Sequence, residues 1–224
     1  MVSFSEIWPI IRLTLIVSGL STFIAFILAL PAAFLLYLNQ FPGRKLILSL
    51  IHTGMGLPPV VVGLFVALFL WRSGPLGSLN LMYTPAAIII AQVILAWPII
   101  AGLSLSALEQ VDPALLIQAK ALGASPTQLL WTLFCEARLG QISGIIAAFG
   151  AVISEVGAVL MVGGNLKGHT RVLTTAILQE TRLGHFRLAL ILALTLIIIS
   201  FAINWCLTSW QQKGINRWRQ PSWK

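Results

Sequence analysis

The sequence predicts an all-α integral membrane protein with about five transmembrane helices, a reading that rests on its scarcity of charge, its apolar content and the spacing of its charges. Only 9% of the 224 residues are charged, against roughly 25% in soluble domains. At 58% apolar, the chain carries more apolar surface than one small core can hide. The charges fall in short segments between long uncharged windows, and a membrane-crossing helix needs roughly 20 predominantly apolar residues. In a soluble chain a net charge of +8 would point to nucleic acid. Here the segregation of the basic residues points to membrane topology, and no nucleic-acid partner is expected.

The windows give five spans within one transmembrane domain, 1–224. They cover about 13–38, 46–71, 84–105, 141–162 and 187–210. The fourth is interrupted only by Glu155. No cleavable signal peptide is expected, because the first apolar run is too long and has no basic start or small-residue cleavage site. Pro31, Pro58, Pro59, Pro85 and Pro98 lie within or at the ends of spans. Pro58-Pro59, preceded by Gly54 and Gly56, is the expected break, either a packing kink or a gate. Trp8, Trp71, Trp205, Trp210, Trp218 and Trp223 fall near span ends, as interface anchors do. Cys135 and Cys206 have neither disulfide nor metal spacing, so no metal site is expected.

Orientation follows the Lys and Arg bias of short loops. With the N-terminus outside and the C-terminus in the cytoplasm, Arg44, Lys45, Lys120, Arg138, Lys213, Arg217, Arg219 and Lys224 share the inner side. Arg12, Arg72, Lys167, Arg171, Arg182 and Arg187 share the outer side. This places a loop at 106–140 inside and a loop at 163–186 outside.

The inner loop is strongly punctuated. Asp112-Pro113 supplies an N-cap with proline at the first helical position, and Leu115, Leu116, Ala119 and Leu122 recur at helical spacing. Gly123 stands where a left-handed cap residue belongs. Ser125-Pro126-Thr127-Gln128 then has capping-box form, and Leu129, Leu130 and Leu133 continue an apolar stripe. Two short amphipathic helices joined at a glycine offer a ridge for a partner's groove. Alternatively, they lie against the bilayer or their own bundle.

Ala119 with Gly123, Ala124, Ser125 and the helix that follows resembles the cytoplasmic coupling loop of ABC importer permeases. That family's pattern is Glu-Ala-Ala, three residues, Gly, then nine residues and Ile-x-Leu-Pro. The match is partial, since Ile117-Gln118 replaces the Glu and first Ala, and Leu133-Phe134-Cys135-Glu136 replaces Ile-x-Leu-Pro. Three further segments are similar to the molybdate and tungstate branch: Ser154-Glu155-Val156-Gly157-Ala158, Gly163-Gly164-Asn165, and His169-Thr170-Arg171 through Thr174, Thr175 and Ile177. The Leu57 to Gly63 segment fits it too. The resemblance covers about residues 10 to 212 and implies a type I ABC importer (MetI-like) permease architecture in the plasma (inner) membrane of a prokaryote. It implies a homodimer that binds two cytoplasmic ABC ATPase subunits through Ala119, Leu122, Gly123, Ala124, Ser125, Leu129, Leu133 and Glu136. An extracytoplasmic binding protein would deliver a tetrahedral oxyanion, most closely tungstate, with molybdate or sulfate as alternatives. ATP and Mg would bind the partner ATPase, and no cofactor is expected in this chain.

Pathway or gate residues are expected at Pro58, Pro59, Glu155, Gly163, Gly164, Asn165, Thr170, Arg171, Thr174 and Thr175. A buried ionised Glu155 costs several kcal/mol unless compensated, and Arg171 is the expected partner through which it braces the 163–175 segment. The outer loop carries Lys167, Arg171, Arg182 and Arg187 against Glu180, and its glycines and threonines offer donors without fixed charge. Periplasmic docking and gating weigh above substrate coordination there. The run Gly163 to Thr170 nearly spells a phosphate loop, but His169 occupies the lysine position and no strand precedes it. An intramembrane enzyme is disfavoured because no HExxH, GxSxG or paired aspartates occur in the spans. An ion-coupled carrier is disfavoured because the spans hold a single acid and show no repeat. No catalytic residues are expected.

Overall fold

The computed structural model describes residues 4–219, with side chains described for residues 7–212. It is nearly all helical. α1 (Phe4–Leu38) is followed by α2 (Arg44–Met55), α3 (Pro59–Leu70) and α4 (Pro85–Glu109). α5 (Pro113–Ala121) and α6 (Pro126–Ile153) come next, then α7 (Gly157–Gly163), α8 (Leu173–Arg182) and α9 (Phe186–Arg219). Among the described residues α1, α4, α6 and α9 are long and apolar enough to cross a membrane; α2 and α3, bent by 105°, count as a fifth if the pair is one broken span rather than a re-entrant loop. Trp223 and Lys224 lie outside the described residues, as do the side chains of Lys213, Arg217, Trp218 and Arg219.

The helices differ from the expected segments in three places. The second helix of the inner loop is not short: α6 runs unbroken from Pro126 to Ile153. The apolar stripe begun at Leu129 is taken up by the bundle, and Gly140 and Gly144 do not break the helix because they face α4 at close range. A Cβ on Gly140 would lie 2.3 Å from that of Ala107, and one on Gly144 would lie 3.4 Å from that of Leu103. This is small-residue packing of the kind that draws membrane helices together. The fourth span does not run continuously from 141 to 162 either, since the chain leaves the helix at Ser154 and restarts as α7. In addition, the outer 163–186 segment is not all loop, because it contains α8.

α4 is the central post, packed against α1, α2, α3, α6 and α7. One apolar cluster joins Ala25, Ala29 and Ala33 of α1 to Ile100 and Leu105 of α4 and Leu133 of α6. Alanines every four residues let the helix axes approach closely. A second cluster joins Val17, Val62, Val66, Ile88, Val159 and Val162. Two polar contacts tie these helices to the breaks and loops beyond them. Gln92 of α4 accepts from Ser21 Oγ at 3.0 Å and donates to the Val152 carbonyl at 3.0 Å, so it ties α1 and α4 to the last turn of α6. Thr14 Oγ1 of α1 accepts from the Leu173 backbone N–H at 2.9 Å and satisfies an orphan donor at the start of α8.

Candidate functional site

At one end of the bundle α5 and the first turns of α6 form a hairpin. The Asp112 carboxylate accepts from the Ala114 N–H at 2.9 Å, with Pro113 opening α5. The helix ends in a Schellman arrangement: the Gly123 N–H donates to the Lys120 carbonyl at 2.9 Å and the Ala124 N–H to Ala119 at 3.0 Å. This geometry requires the left-handed φ of +84° at Gly123. Ser125 and Gln128 close a reciprocal capping box, with the Ser125 N–H on Gln128 Oε1 at 2.8 Å. The turn is therefore fixed on one side by backbone bonds and on the other by side-chain caps.

The hairpin's two faces differ. Leu122 at its tip is 89% exposed and Trp131 is 67% exposed, with Trp131 stacked on Phe134 at 5.5 Å. Ile117 is exposed as well. Ala119, Ala124 and Leu129 are half-buried, and Ser125 is exposed. Leu133, expected on the partner-facing ridge, is instead only 2% exposed and belongs to the core. Helical spacing explains the split. Positions 129 and 133 are one turn apart on the same face, whereas position 131 lies about 200° around the helix from 129. Trp131 and Ile117 are the exposed apolar residues that the stripe reading left out. Glu136 is exposed and lines, with Asp112, Gln110 and Gln118, a cavity of about 480 Å³ between α5, the end of α4 and the middle of α6. The Arg44 guanidinium meets Glu109 at 3.0 Å and caps the Leu36 carbonyl at 2.9 Å. It thus joins the ends of α1, α2 and α4 beside the hairpin.

Deeper in the bundle two helix breaks come together. Pro58 is the extended N-cap residue of α3 and Pro59 its first residue; the other break is at residues 154–156. A Cβ on Gly157 would lie 2.5 Å from Val60 Cγ2, and one on Gly63 would lie 2.6 Å from Ala158 Cα. Just past their breaks, then, α3 and α7 pack almost backbone to backbone. Glu155 lies in this break and is half-buried. Its Oε1 accepts from the Ala158 N–H at 2.9 Å, and its backbone carbonyl accepts from Thr174 Oγ1 at 2.8 Å.

The expected Glu155–Arg171 pairing is not formed. Arg171 donates through Nε to Asn165 Oδ1 at 3.2 Å, and Asn165 also meets Gln179 Oε1. The 163–175 segment is tied to the Glu155 region through Thr174 and the backbone. Thr170, Thr174 and Thr175, expected as open donors, are buried and satisfied internally. Thr170 Oγ1 donates to the Gly163 carbonyl and accepts from the Leu166 N–H, while Thr175 Oγ1 caps α8 through the Val172 N–H. Gly163 is buried against Ile88, and Gly164 takes a φ of +67° where its Cβ would lie 2.7 Å from the Tyr83 ring. These residues bond to one another and to the backbone around them. Gln92 and Thr14 were missed, though a lone amide in the third apolar span and the polar spacing of Thr14, Ser18, Ser21 and Thr22 along the first are visible in the sequence.

Residues 21–218 match the family of binding-protein-dependent transport system inner membrane components. The chain belongs to that family, and so is a multi-pass permease component of ABC transporters. It is similar to the tungstate uptake system permease protein TupB of Peptoclostridium acidaminophilum, at 38% identity over 95% of this chain and 94% of that one. TupB of Campylobacter jejuni is 36% identical over 87% and 81%. The molybdenum transport permease ModB of Azotobacter vinelandii is 28% identical over 89% and 92%. The fold is similar to that of a chain in the inward-facing MetNI methionine ABC transporter, with a TM-score of 0.74 at 19% identity, covering 95% of this chain and 99% of that one.

Proposed function

We propose that the chain is the transmembrane permease subunit of an ATP-driven importer of a tetrahedral oxyanion, tungstate, and works as a single transmembrane domain in a homodimer. The observation that carries the substrate is the similarity to two tungstate permeases at 38% and 36% identity over most of the chain. Two cytoplasmic ATPase subunits grip the 109–136 hairpin, where Leu122, Trp131 and Ile117 give them an apolar surface to bury. ATP and Mg bind those subunits, and an extracytoplasmic binding protein delivers the anion and sets most of the selectivity. An energy source is required, because a dianion entering an inside-negative cell meets roughly 4.6 kcal/mol per 100 mV.

α6 supplies the transmission. It carries the hairpin at one end and the break before α7 at the other, a rigid rod of 28 residues or about 42 Å. ATPase closure swings the hairpin, the rod moves without an internal joint, and the paired breaks at Pro58-Pro59 and Ser154–Val156 open or close the route. Gly163, Gly164, Asn165, Thr170, Arg171, Thr174 and Thr175 hold the outer side of that gate in register. The N-terminus faces outward and the C-terminus the cytoplasm.

The deciding experiment is tungstate uptake by cells expressing the chain with its ATPase and binding protein. Uptake is expected to need a hydrolysis-competent ATPase, to persist when the membrane potential is collapsed, and to resist excess sulfate. Molybdate uptake at equal rates would favour the second reading, a molybdate permease, which the ModB similarity supports.

A further inference from the structure

Opposite the hairpin end, a cavity of about 530 Å³ opens between the start of α1, the 167–171 loop, α8 and the start of α9. Its walls are mainly aliphatic, with Ile7, Ile10 and Leu13 from α1 facing Leu188 and Leu192 from α9. Its polar lining is basic: Arg12, Lys167, His169 and Arg171 stand there against the single acid Glu180. That acid is already engaged, with Oε2 on His185 Nδ1 at 2.9 Å. Arg12 and Lys167 are exposed and form no ion pair among the described residues. Arg171 spends Nε and one Nη on Asn165, which fixes its plane and leaves its other nitrogen unengaged.

We propose that this cavity binds an anionic phospholipid, with the phosphate on Arg12, Lys167 and Arg171 and an acyl chain along the groove between α1 and α9. An amphiphile fits because the two halves of the site want opposite things. Stripping water from a free oxyanion against aliphatic walls carries a desolvation cost that the few donors on one side cannot offset, whereas an uncharged chain would leave three cations unanswered. A second copy of this chain is a poor occupant. Among the described residues Glu109, Asp112 and Glu136 lie at the hairpin end, Glu155 sits in the helix break and Glu180 is engaged by His185, so they form no acidic patch for a symmetry-related copy to offer here. Trp8 lines the same cavity, as a residue suited to the headgroup level.

The test uses the full-length chain purified in detergent, stripped of lipid and titrated in native mass spectrometry with dioleoylphosphatidylglycerol, dioleoylphosphatidylcholine or inorganic phosphate. Phosphatidylglycerol is expected to bind about tenfold more tightly than phosphatidylcholine. The Arg12→Gln/Lys167→Gln double variant is expected to lose that preference, and Arg182→Gln, whose side chain lies outside the cavity, to keep it. Equal binding of the two lipids, or retained preference in the double variant, overturns the proposal. Displacement of phosphatidylglycerol by millimolar inorganic phosphate overturns it in favour of a free-anion site. Photocrosslinking of the unmodified chain with a diazirine-bearing phosphatidylglycerol supplies a readout that needs no variant. Crosslinks within residues 7–16 or 167–192 support the site, and crosslinks confined to other segments overturn it.

Discussion

Gly63 and Gly157 lie where two broken helices touch, and both are defined by what their missing side chains would strike. A Cβ on Gly63 meets the Ala158 backbone at 2.6 Å, and backbone cannot rotate away as a side chain end can. Gly63→Ala is therefore expected to destabilise the protein by about 1–3 kcal/mol through overpacking, whereas Gly150→Ala, with nothing within 4 Å of its Cβ, is neutral or slightly stabilising. Thermal unfolding in detergent compares the two directly. The same neighbourhood decides how Glu155 and Arg171 interact. Their hydrogen bonds run to separate partners, Ala158 and Asn165, so Glu155→Gln and Arg171→Gln should lower transport independently, with the double variant showing the product of the single effects. A double variant no worse than either single one would restore the direct pair.

At the element scale the hairpin cap is the simplest place to separate structure from coupling. Gly123 needs φ near +84° and gives its N–H to Lys120, and proline can supply neither. Gly123→Pro is expected to insert normally yet hydrolyse ATP with little transport, because α5 then meets the ATPase at the wrong angle; the ratio of anion moved to ATP consumed measures it. This turn was legible in the sequence because caps are local: Asp112-Pro113, Gly123 and Ser125-Pro126 act within a few residues. The continuity of α6 was not, because nothing local distinguishes a short surface helix from the first turns of a long one. What decides is Gly140 and Gly144 meeting Ala107 and Leu103, residues more than 30 positions away. The Pro58-Pro59 break could be read from chemistry, whereas the break at residues 154–156 has no proline. Its stability comes from Gln92, Thr174 and Glu155 satisfying the freed backbone groups, a solution visible only once the helices are assembled.

For the whole molecule, the fold separates two chemically different ends, and the proposed mechanism requires that they face opposite sides of the membrane. One end carries the hairpin with its exposed apolar tip, which a cytoplasmic motor must reach. The other carries the basic cavity of Arg12, Lys167 and Arg171, on the side from which the proposed carrier protein delivers its anion. The loop charges favour the arrangement only by eight basic residues to six, so the bias alone is too small to fix it, and the physical requirement for motor access carries more weight. With Cys135 and Cys206 replaced by serine, single cysteines at Leu122 and Lys167 test both ends at once, since both positions are exposed. In intact spheroplasts a membrane-impermeant maleimide should label Lys167→Cys and leave Leu122→Cys untouched until the membrane is permeabilised. The reverse pattern would put the hairpin outside, beyond reach of any ATP-driven partner, and the importer mechanism would fail with it.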